Sequence, residues 1–262
     1  MNAKPTVLIT GASAGIGSVY ADRFARRGHA LVLVARDGAR LNALAARLRA
    51  ESRVDVDVLA ADLAEPAGIE AVEARLRDDA RIGILVNNAG AAARGGFTDQ
   101  TPGDVSALVS LNVVSLTRLS RAISPRLAQA GSGAIINLGS VVGLAPELGM
   151  SVYGATKAFV LFLSQGLHAE LGPKGVYVQA VLPSVTRTEL WERAGLDLNA
   201  FPTSMTADEL VDAALVGFDR RETVTIPSLP EIGQWLDLEA ARKAMLPNLV
   251  QQHAAKRYES TN

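Results

Sequence analysis

The sequence contains no cysteine, few aromatic residues (5%) and only three histidines. Without cysteine the chain forms no disulfide, thiolate nucleophile or cysteine-ligated metal site, which fits a reducing compartment. His29, His168 and His253 lie far apart in unrelated sequence contexts, and paired carboxylates at ligand spacing are missing. We therefore expect no metal site.

A strong charge of either sign and long hydrophobic runs are also absent. The net charge is −1, the pI is near 6.3, and lysine and arginine are scattered along the chain, so nucleic-acid binding is not expected. No window reaches the roughly 18 apolar residues of a bilayer span, and the N-terminus enters a strand-like segment with no signal-type run. We expect a cytoplasmic protein that does not bind membranes.

What the chain has is a regular alternation of short apolar, β-branched runs with longer helical stretches. The runs are Val7–Thr10, Leu31–Val34, Val54–Leu59, Ile84–Val86, Ala134–Leu138, Val176–Leu182 and Val224–Ile226. They lack polar alternation, which is typical of a parallel sheet covered on both faces. The sequence therefore predicts a three-layer α/β fold with a doubly wound, seven-stranded parallel sheet.

Two regions interrupt this alternation. A segment at about 183–205 contains Trp191 and Phe201 and suggests a lid over a pocket, although a merely structural insert is the alternative. A C-terminal extension follows at about 227–262. We predict a single domain spanning residues 1–262.

A glycine-rich turn, Thr10–Gly17, follows the first predicted strand and precedes a predicted helix at Ser18–Arg27. Glycines let the backbone approach a pyrophosphate, and a helix N-terminus offers free N–H groups to the anion. The spacing G-x-x-x-G-x-G differs from the dinucleotide pattern G-x-G-x-x-G, so a tight structural turn is the alternative. The order strand, glycines, helix, strand favours dinucleotide binding.

The end of the second predicted strand bears on the choice between NADP(H) and NAD(H). Ala35 stands where a carboxylate would hold the ribose 2′-hydroxyl of NAD, and Arg36 follows it, which favours NADP(H). The alternatives are a solvated surface role for Arg36 and a ribose contact for Asp37, which is also placed to cap the next helix. Asp62, after the third strand, is equally suited to contact adenine or to cap a helix.

Tyr153 and Lys157 are four residues apart on a predicted helix and share one face, and Ser140 follows the fifth strand. A free tyrosine with a pKa of about 10 is a poor base at neutral pH, so we expect Lys157 to lower the pKa of Tyr153. Ser140 is suited to donate a hydrogen bond to a substrate oxygen. In isolation the pair would be a packed aromatic beside a solvated charge.

Four motifs in order resemble the short-chain dehydrogenase/reductase family over about Val7 to Thr188. They are the turn Thr10–Gly17, the segment Asn87–Gly90, the tetrad Asn112, Ser140, Tyr153 and Lys157, and the loop Pro183–Thr188. Within this loop Ser184 and Thr186 depart from the family pattern. The resemblance implies a Rossmann-like fold and reversible hydride transfer between NADP(H) and a carbonyl or alcohol substrate.

The motifs and the resemblance together identify the expected site residues. The catalytic residues are Asn112, Ser140, Tyr153 and Lys157. The resemblance implies that Asn112 holds a water that connects Lys157 to solvent; a helix asparagine bonded to a neighbouring backbone is the alternative. The residues expected to bind the cofactor are Gly11, Ser13, Ile16, Gly17, Arg36, Asp62, Leu63, Asn87, Ala89, Tyr153, Lys157, Thr186 and Thr188. The resemblance also implies a homo-oligomer, a dimer or a tetramer.

Apolar residues flank the tetrad and predict a small-molecule substrate of apolar character. We expect Leu144, Leu148 and Trp191 in its pocket, whereas Arg187 and Arg193 would contradict this if they point inwards. Two other functions remain open: a cofactor-binding sensor without turnover, and a nicotinamide-dependent isomerase or dehydratase.

Overall fold

The computed structural model describes residues 4–92, 95–195, 197 and 202–258. The chain divides into two compact units, Met1–Pro227 and Ser228–Asn262. This boundary falls where the sequence places the start of the C-terminal extension. The number of domains stays a prediction.

The first unit is built on a seven-stranded parallel sheet, as predicted. Its strands are β1 (Thr6–Thr10), β2 (Leu31–Ala35), β3 (Val56–Ala60), β4 (Ile82–Asn87), β5 (Ala134–Leu138), β6 (Tyr177–Val181) and β9 (Val224–Thr225). Two further strands, β7 (Thr186–Arg187) and β8 (Met205–Thr206), form a separate parallel ribbon. The order in the main sheet is β3-β2-β1-β4-β5-β6-β9.

Helices cover both faces of this sheet. Those of the first unit are α1 (Gly15–Arg26), α2 (Gly38–Ser52), α3 (Pro66–Asp78), α4 (Pro102–Val109), α5 (Leu116–Ala130), α6 (Ser151–Leu171), α7 (Glu189–Arg193) and α8 (Ala207–Asp219). One buried cluster joins α1, α2 and α8 to the sheet, and another joins α3, α5 and the end of α6 to its opposite face. The alternation of strand residues explains both clusters, since Val7 and Ile9 belong to the first and Leu8 to the second.

The strand order fixes where a ligand fits. From β1 the chain proceeds outward to β2 and β3, and it then returns to place β4 on the other side of β1. Connections therefore diverge beyond the carboxyl ends of β1 and β4, which opens a crevice at that edge of the sheet.

The second unit contains one α-helix among its described residues, α9 (Ile232–Ala244). Trp235 is its buried residue, whereas Leu236 and Leu238 are exposed. A turn of 3₁₀ helix, Leu246–Asn248, follows and contains Pro247. Across the described parts of both units, no helix is long and apolar enough to cross a membrane.

Candidate active site

A crevice of about 570 Å³ lies at the carboxyl edge of the sheet. Ligand pockets commonly have volumes of about 300–1,000 Å³. Most of the predicted site residues line this crevice: Gly11, Ser13, Ile16, Arg36, Asp62, Leu63, Ala89, Ser140, Tyr153, Lys157, Thr186, Thr188 and Trp191. One cavity therefore contains residues from every motif of the sequence.

The glycine turn at one end of the crevice is closely packed. Gly11 has φ +65°, and a Cβ at Gly17 would lie 2.3 Å from the Gly11 carbonyl oxygen. Only glycine fits Gly17 without a shift of this backbone. No side chain caps α1, because Ala14 precedes its first residue, so the amides of its first turn suit an anion.

Asn88 and Thr10 hold this turn against the end of β4. Asn88 Nδ2 donates to the backbone oxygens of Thr10 (2.9 Å) and Gly11 (3.2 Å). Thr10 Oγ1 accepts from the amides of Asn88 (3.0 Å) and Ala89 (2.9 Å). Asn88 also lines the crevice, although the sequence motif did not identify it as a site residue.

Two predicted cofactor residues, Gly17 and Asn87, do not line the crevice. Gly17 is buried beneath the turn. The Asn87 side chain lies inside the sheet, where it donates to Ser120 Oγ (3.0 Å) and Asn137 Oδ1 (2.9 Å). Both residues support the shape of the crevice from behind.

Charged side chains surround the opening near the end of β2. Arg36 Nη1 lies 3.9 Å from Asp62 Oδ2, and both side chains are partly exposed. Asp37 caps α2 by accepting from the Arg40 amide at 2.9 Å, as its position suggested. Asp62 accepts from the Ala64 amide at 2.9 Å and does not cap α3, whose cap residue is Glu65.

Ser140, Tyr153 and Lys157 meet at the other end of the crevice, and all three are buried. Ser140 follows β5, and its hydroxyl lies 3.3 Å from both the Pro183 carbonyl oxygen and the Val142 amide. Lys157 Nζ donates to the Leu138 carbonyl at 2.9 Å and lies 5.6 Å from the centre of the Tyr153 ring. The three polar groups therefore face one small volume.

Asn112 lies behind this group rather than on the crevice wall. It belongs to a π-helical segment, Ser110–Ser115, between α4 and α5; such segments often occur at functional sites. Its amide exchanges hydrogen bonds with the Ala91 backbone (both 2.9 Å) and donates to Thr156 Oγ1 (3.1 Å). A Cβ at Gly90 would be 3.2 Å from Asn112 Oδ1 and 3.6 Å from Lys157 Nζ. Asn112 thus approaches Lys157 across Gly90.

Burial dominates the ionisation of the two central groups. It raises the pKa of Tyr153 to about 12, against the lowering effect of a hydrogen bond with Ser140. It also lowers the pKa of Lys157 to about 8. The expected fall in the pKa of Tyr153 does not occur here, because the same desolvation disfavours the phenolate and the ammonium.

The predicted lid contributes an apolar wall. Helix α7 places Trp191 against Tyr153, with ring centres 6.3 Å apart at 71°. A buried cluster of Leu108, Tyr153 and Trp191 is extended by Ala91, Ala92, Val142, Met150, Val152, Val185 and Leu190. Leu144 and Leu148, predicted for this pocket, do not line the crevice, and Leu148 is 59% exposed.

The remaining residues of the predicted lid differ in whether they face the crevice. Thr186 and Thr188 line the crevice, and Arg187 is exposed. Phe201 and the side chain of Arg193 lie outside the described residues.

No group of three or more histidine, aspartate or glutamate side chains suited to a metal occurs in the part of the chain that the structure describes.

Comparisons with known proteins agree with this geometry. The family model for short chain dehydrogenase matches residues 5–199. A short-chain dehydrogenase from Sphingobium yanoikuyae, solved in complex with NADPH, is 64% identical; the superposition has a TM-score of 0.96 and covers 97% of this chain and 100% of that one. The bulky-bulky ketone specific alcohol dehydrogenase from Comamonas testosteroni is 55% identical, with a TM-score of 0.93 and coverage of 99% and 100%.

Curated relatives are more distant. The very-long-chain 3-oxoacyl-CoA reductase-B of Danio rerio is 34% identical over 188 residues, which is 70% of this chain. The chain spans 60% of the length of that relative.

Proposed function

This chain belongs to the short-chain dehydrogenase/reductase family, and we propose that it is an NADP(H)-dependent oxidoreductase acting on carbonyl or alcohol substrates. One observation carries the proposal. A single crevice joins a glycine turn and Arg36 at one end to Ser140, Tyr153 and Lys157 at the other. Cofactor binding and proton transfer are thus supported within one cavity.

The cofactor end fits a dinucleotide phosphate. Gly11 and Gly17 leave room for a pyrophosphate beside the backbone, and the uncapped start of α1 favours its negative charge. Arg36 stands at the end of β2, where Ala35 offers no carboxylate for a ribose hydroxyl, so NADP(H) is favoured over NAD(H). Bound there, the cofactor supplies or accepts the hydride.

Tyr153 is the acid or base at the reacting oxygen. Because burial raises its pKa to about 12, Tyr153 carries its proton at neutral pH, the form that carbonyl reduction needs. As the hydride reaches the carbonyl carbon, the Tyr153 proton passes to the oxygen, and Ser140 donates a hydrogen bond to that oxygen. Lys157 restores the proton, and Asn112 holds the Ala91 backbone, which follows Gly90, the glycine whose Cβ would lie 3.6 Å from Lys157 Nζ.

The substrate is a ketone or secondary alcohol with bulky apolar substituents. The apolar side chains that pack around Tyr153 and Trp191, among them Leu108 and Leu190, support this class. The Comamonas testosteroni relative, described as specific for bulky-bulky ketones, points in the same direction. Both relatives are named as dehydrogenases, which does not favour the sensor or isomerase alternatives.

The substitution Tyr153→Phe tests the proposal directly. It removes the transferable proton but keeps the ring against Trp191, so we expect turnover of bulky aryl ketones with NADPH to fall by at least about 1,000-fold. NADPH affinity, measured by fluorescence titration, should change by less than about threefold. Activity of the Phe variant close to that of the unaltered protein would refute the role of Tyr153.

The cytoplasmic location and the homo-oligomeric state stay predictions. Size-exclusion chromatography with light scattering decides the oligomeric state.

A further inference from the structure

An ion pair crosses the mouth of the crevice between its cofactor end and the lid. Arg40, in the first turn of α2, places Nη1 2.9 Å and 3.0 Å from the two carboxylate oxygens of Glu189. Glu189 is the first residue of α7 and stands two residues before Trp191. Both Arg40 and Glu189 line the crevice. The pair therefore connects the region of Arg36 to the helix that covers Tyr153.

Arg40 belongs to the same charged opening as Arg36. Its Nε lies 3.4 Å from Asp37 Oδ2, and its side chain is 50% exposed. Arginine has five N–H groups in a rigid fork, so contacts through Nη1 and Nε leave the N–H groups of Nη2 for another acceptor. Arg40 can hold Glu189 and a second anion at the same time.

The start of the lid also touches the glycine turn. A Cβ at Gly15 would lie 3.0 Å from Cγ2 of Thr188, the residue before α7. Two neighbouring residues, Thr188 and Glu189, thus contact the cofactor end from the lid side. A shift of the Arg40 side chain would therefore alter its contact with Glu189 and, through that contact, the start of α7.

We propose that Arg40 is a second ligand of the cofactor 2′-phosphate, beside Arg36, and that Glu189 positions Arg40 and couples the phosphate to the lid. The proposal rests on the proposed function, since it assumes NADP(H) in this crevice. It assigns discrimination between the two nicotinamide cofactors to two arginines and to the carboxylate that orients one of them.

The sign of the coupling follows from the geometry. The ion pair is half exposed, at 50% and 42%, and exposed pairs contribute little alone. A phosphate gains more from an arginine whose side chain is already oriented, since less conformational entropy is lost on binding. By linkage, a bound 2′-phosphate then strengthens the contact between Arg40 and Glu189 and steadies α7.

The experiment compares 2′-phospho-ADP-ribose with ADP-ribose, two probes that differ by the phosphate alone and require no turnover. All variants carry Trp235→Phe, which leaves Trp191 as the only tryptophan because the chain has two. Titration calorimetry gives the affinities, and acrylamide quenching of Trp191 reports access to α7. The variants are Arg40→Gln and Glu189→Gln; the control Asp219→Asn breaks the exposed pair with Arg27 (2.9 Å) away from the crevice.

We expect Arg40→Gln to weaken 2′-phospho-ADP-ribose about tenfold and Glu189→Gln to weaken it about threefold, with ADP-ribose and Asp219→Asn unchanged. In the parent protein, which carries Trp235→Phe alone, 2′-phospho-ADP-ribose should reduce acrylamide quenching of Trp191 more than ADP-ribose does. Arg40→Gln and Glu189→Gln should each remove this difference. Equal affinity of Arg40→Gln for 2′-phospho-ADP-ribose would overturn the phosphate contact. Tighter binding by Glu189→Gln would overturn the coupling, since Glu189 would then compete with the phosphate.

Failure of the proposed function has a different signature. If neither probe binds the parent protein, the crevice is not a dinucleotide site. If the parent binds 2′-phospho-ADP-ribose more tightly than ADP-ribose and Arg40→Gln keeps this difference in full, the function stands and the role of Arg40 is refuted.

Discussion

The two ends of the crevice are built from different parts of the polypeptide. At the cofactor end the wall is backbone, closed by Gly11 and Gly17 and held by hydrogen bonds from Asn88. At the substrate end the wall consists of side chains, among them Trp191 on the short helix α7. A backbone wall accepts few substitutions and recognises a constant part of the ligand, whereas side chains determine which substrate fits.

The largest effect on cofactor binding should come from Gly17→Ala, which tests whether the cofactor end depends on backbone shape. The added Cβ would meet the Gly11 oxygen at 2.3 Å and Asn88 Nδ2 at 2.5 Å. Overpacking strain costs about 1–3 kcal/mol, so we expect up to roughly 100-fold weaker NADPH binding in a fluorescence titration. Gly166→Ala is the matched control, since a Cβ there meets nothing within 4 Å. If Gly17→Ala bound NADPH as tightly as the unaltered protein, the cofactor end would not depend on the shape of its backbone.

Arg36→Gln tests a part of the cofactor end that side chains determine. Hydrogen bonds to charged groups contribute about 1.5–3 kcal/mol, so NADPH affinity should fall about 10- to 100-fold. NADH affinity, measured in the same titration, should change less than about twofold because NADH lacks the 2′-phosphate. A parallel loss for both cofactors would indicate a structural role for Arg36 instead.

Lys157→Met examines the stability cost of burying the Lys157 amine beside Tyr153. The pKa of Lys157 is about 8 when folded and 10.5 ordinarily, so its burial destabilises the fold fully below pH 8 and progressively less up to pH 10.5. The Met variant should therefore be more stable at pH 7 by about 1–3 kcal/mol in urea unfolding, although it loses activity.

This gain should shrink as the pH approaches 10.5. Lys174→Met, at an exposed position, should show no such gain at either pH. A Met variant at position 157 that is less stable at pH 7 would mean that the hydrogen bond to Leu138 outweighs desolvation.

The smallest effect is expected at the substrate end. Trp191→Ala removes an aromatic contact with Tyr153, and such contacts contribute about 0.5–1.5 kcal/mol beyond burial. We expect KM for a bulky aryl ketone to rise about 3- to 10-fold, while KM for acetone and the affinity for NADPH stay constant. Trp191→Phe should restore most of the loss. If NADPH affinity fell by the same factor as KM rises, the substrate end and the cofactor end would not act independently.

The same contrast explains how far the sequence predicted the molecule. The strands of the sheet were predictable because each is a short, buried apolar run, and β5 (Ala134–Leu138) coincides with its predicted range. Once the sheet is parallel, the position of Ser140 at a strand end follows directly. Helix α1 begins at Gly15 rather than at Ser18, because the last glycines of the turn already belong to it.

Other features depend on residues that are distant in sequence. Arg40 and Glu189 are 149 residues apart, and no local pattern connects them. The hydrogen bonds of Asn88 to the glycine turn require the register of β1 against β4. The raised pKa of Tyr153 requires the burial of its side chain in the folded protein. Asn87 was a predicted cofactor residue, yet its side chain lies in the sheet, because neighbouring strand-end residues point to opposite sides.

The parallel ribbon of β7 and β8 has a consequence for how such a protein diversifies. It pairs Thr186 with Met205 and Arg187 with Thr206, so the two ends of the lid are fixed to each other at their base. The segment between the two strands can therefore be lengthened, shortened or changed in sequence without displacing the sheet, since changes in loop length alter the entropy of loop closure only slightly. New substrate ranges can arise by insertion in this segment, while the redox chemistry beneath it is inherited intact.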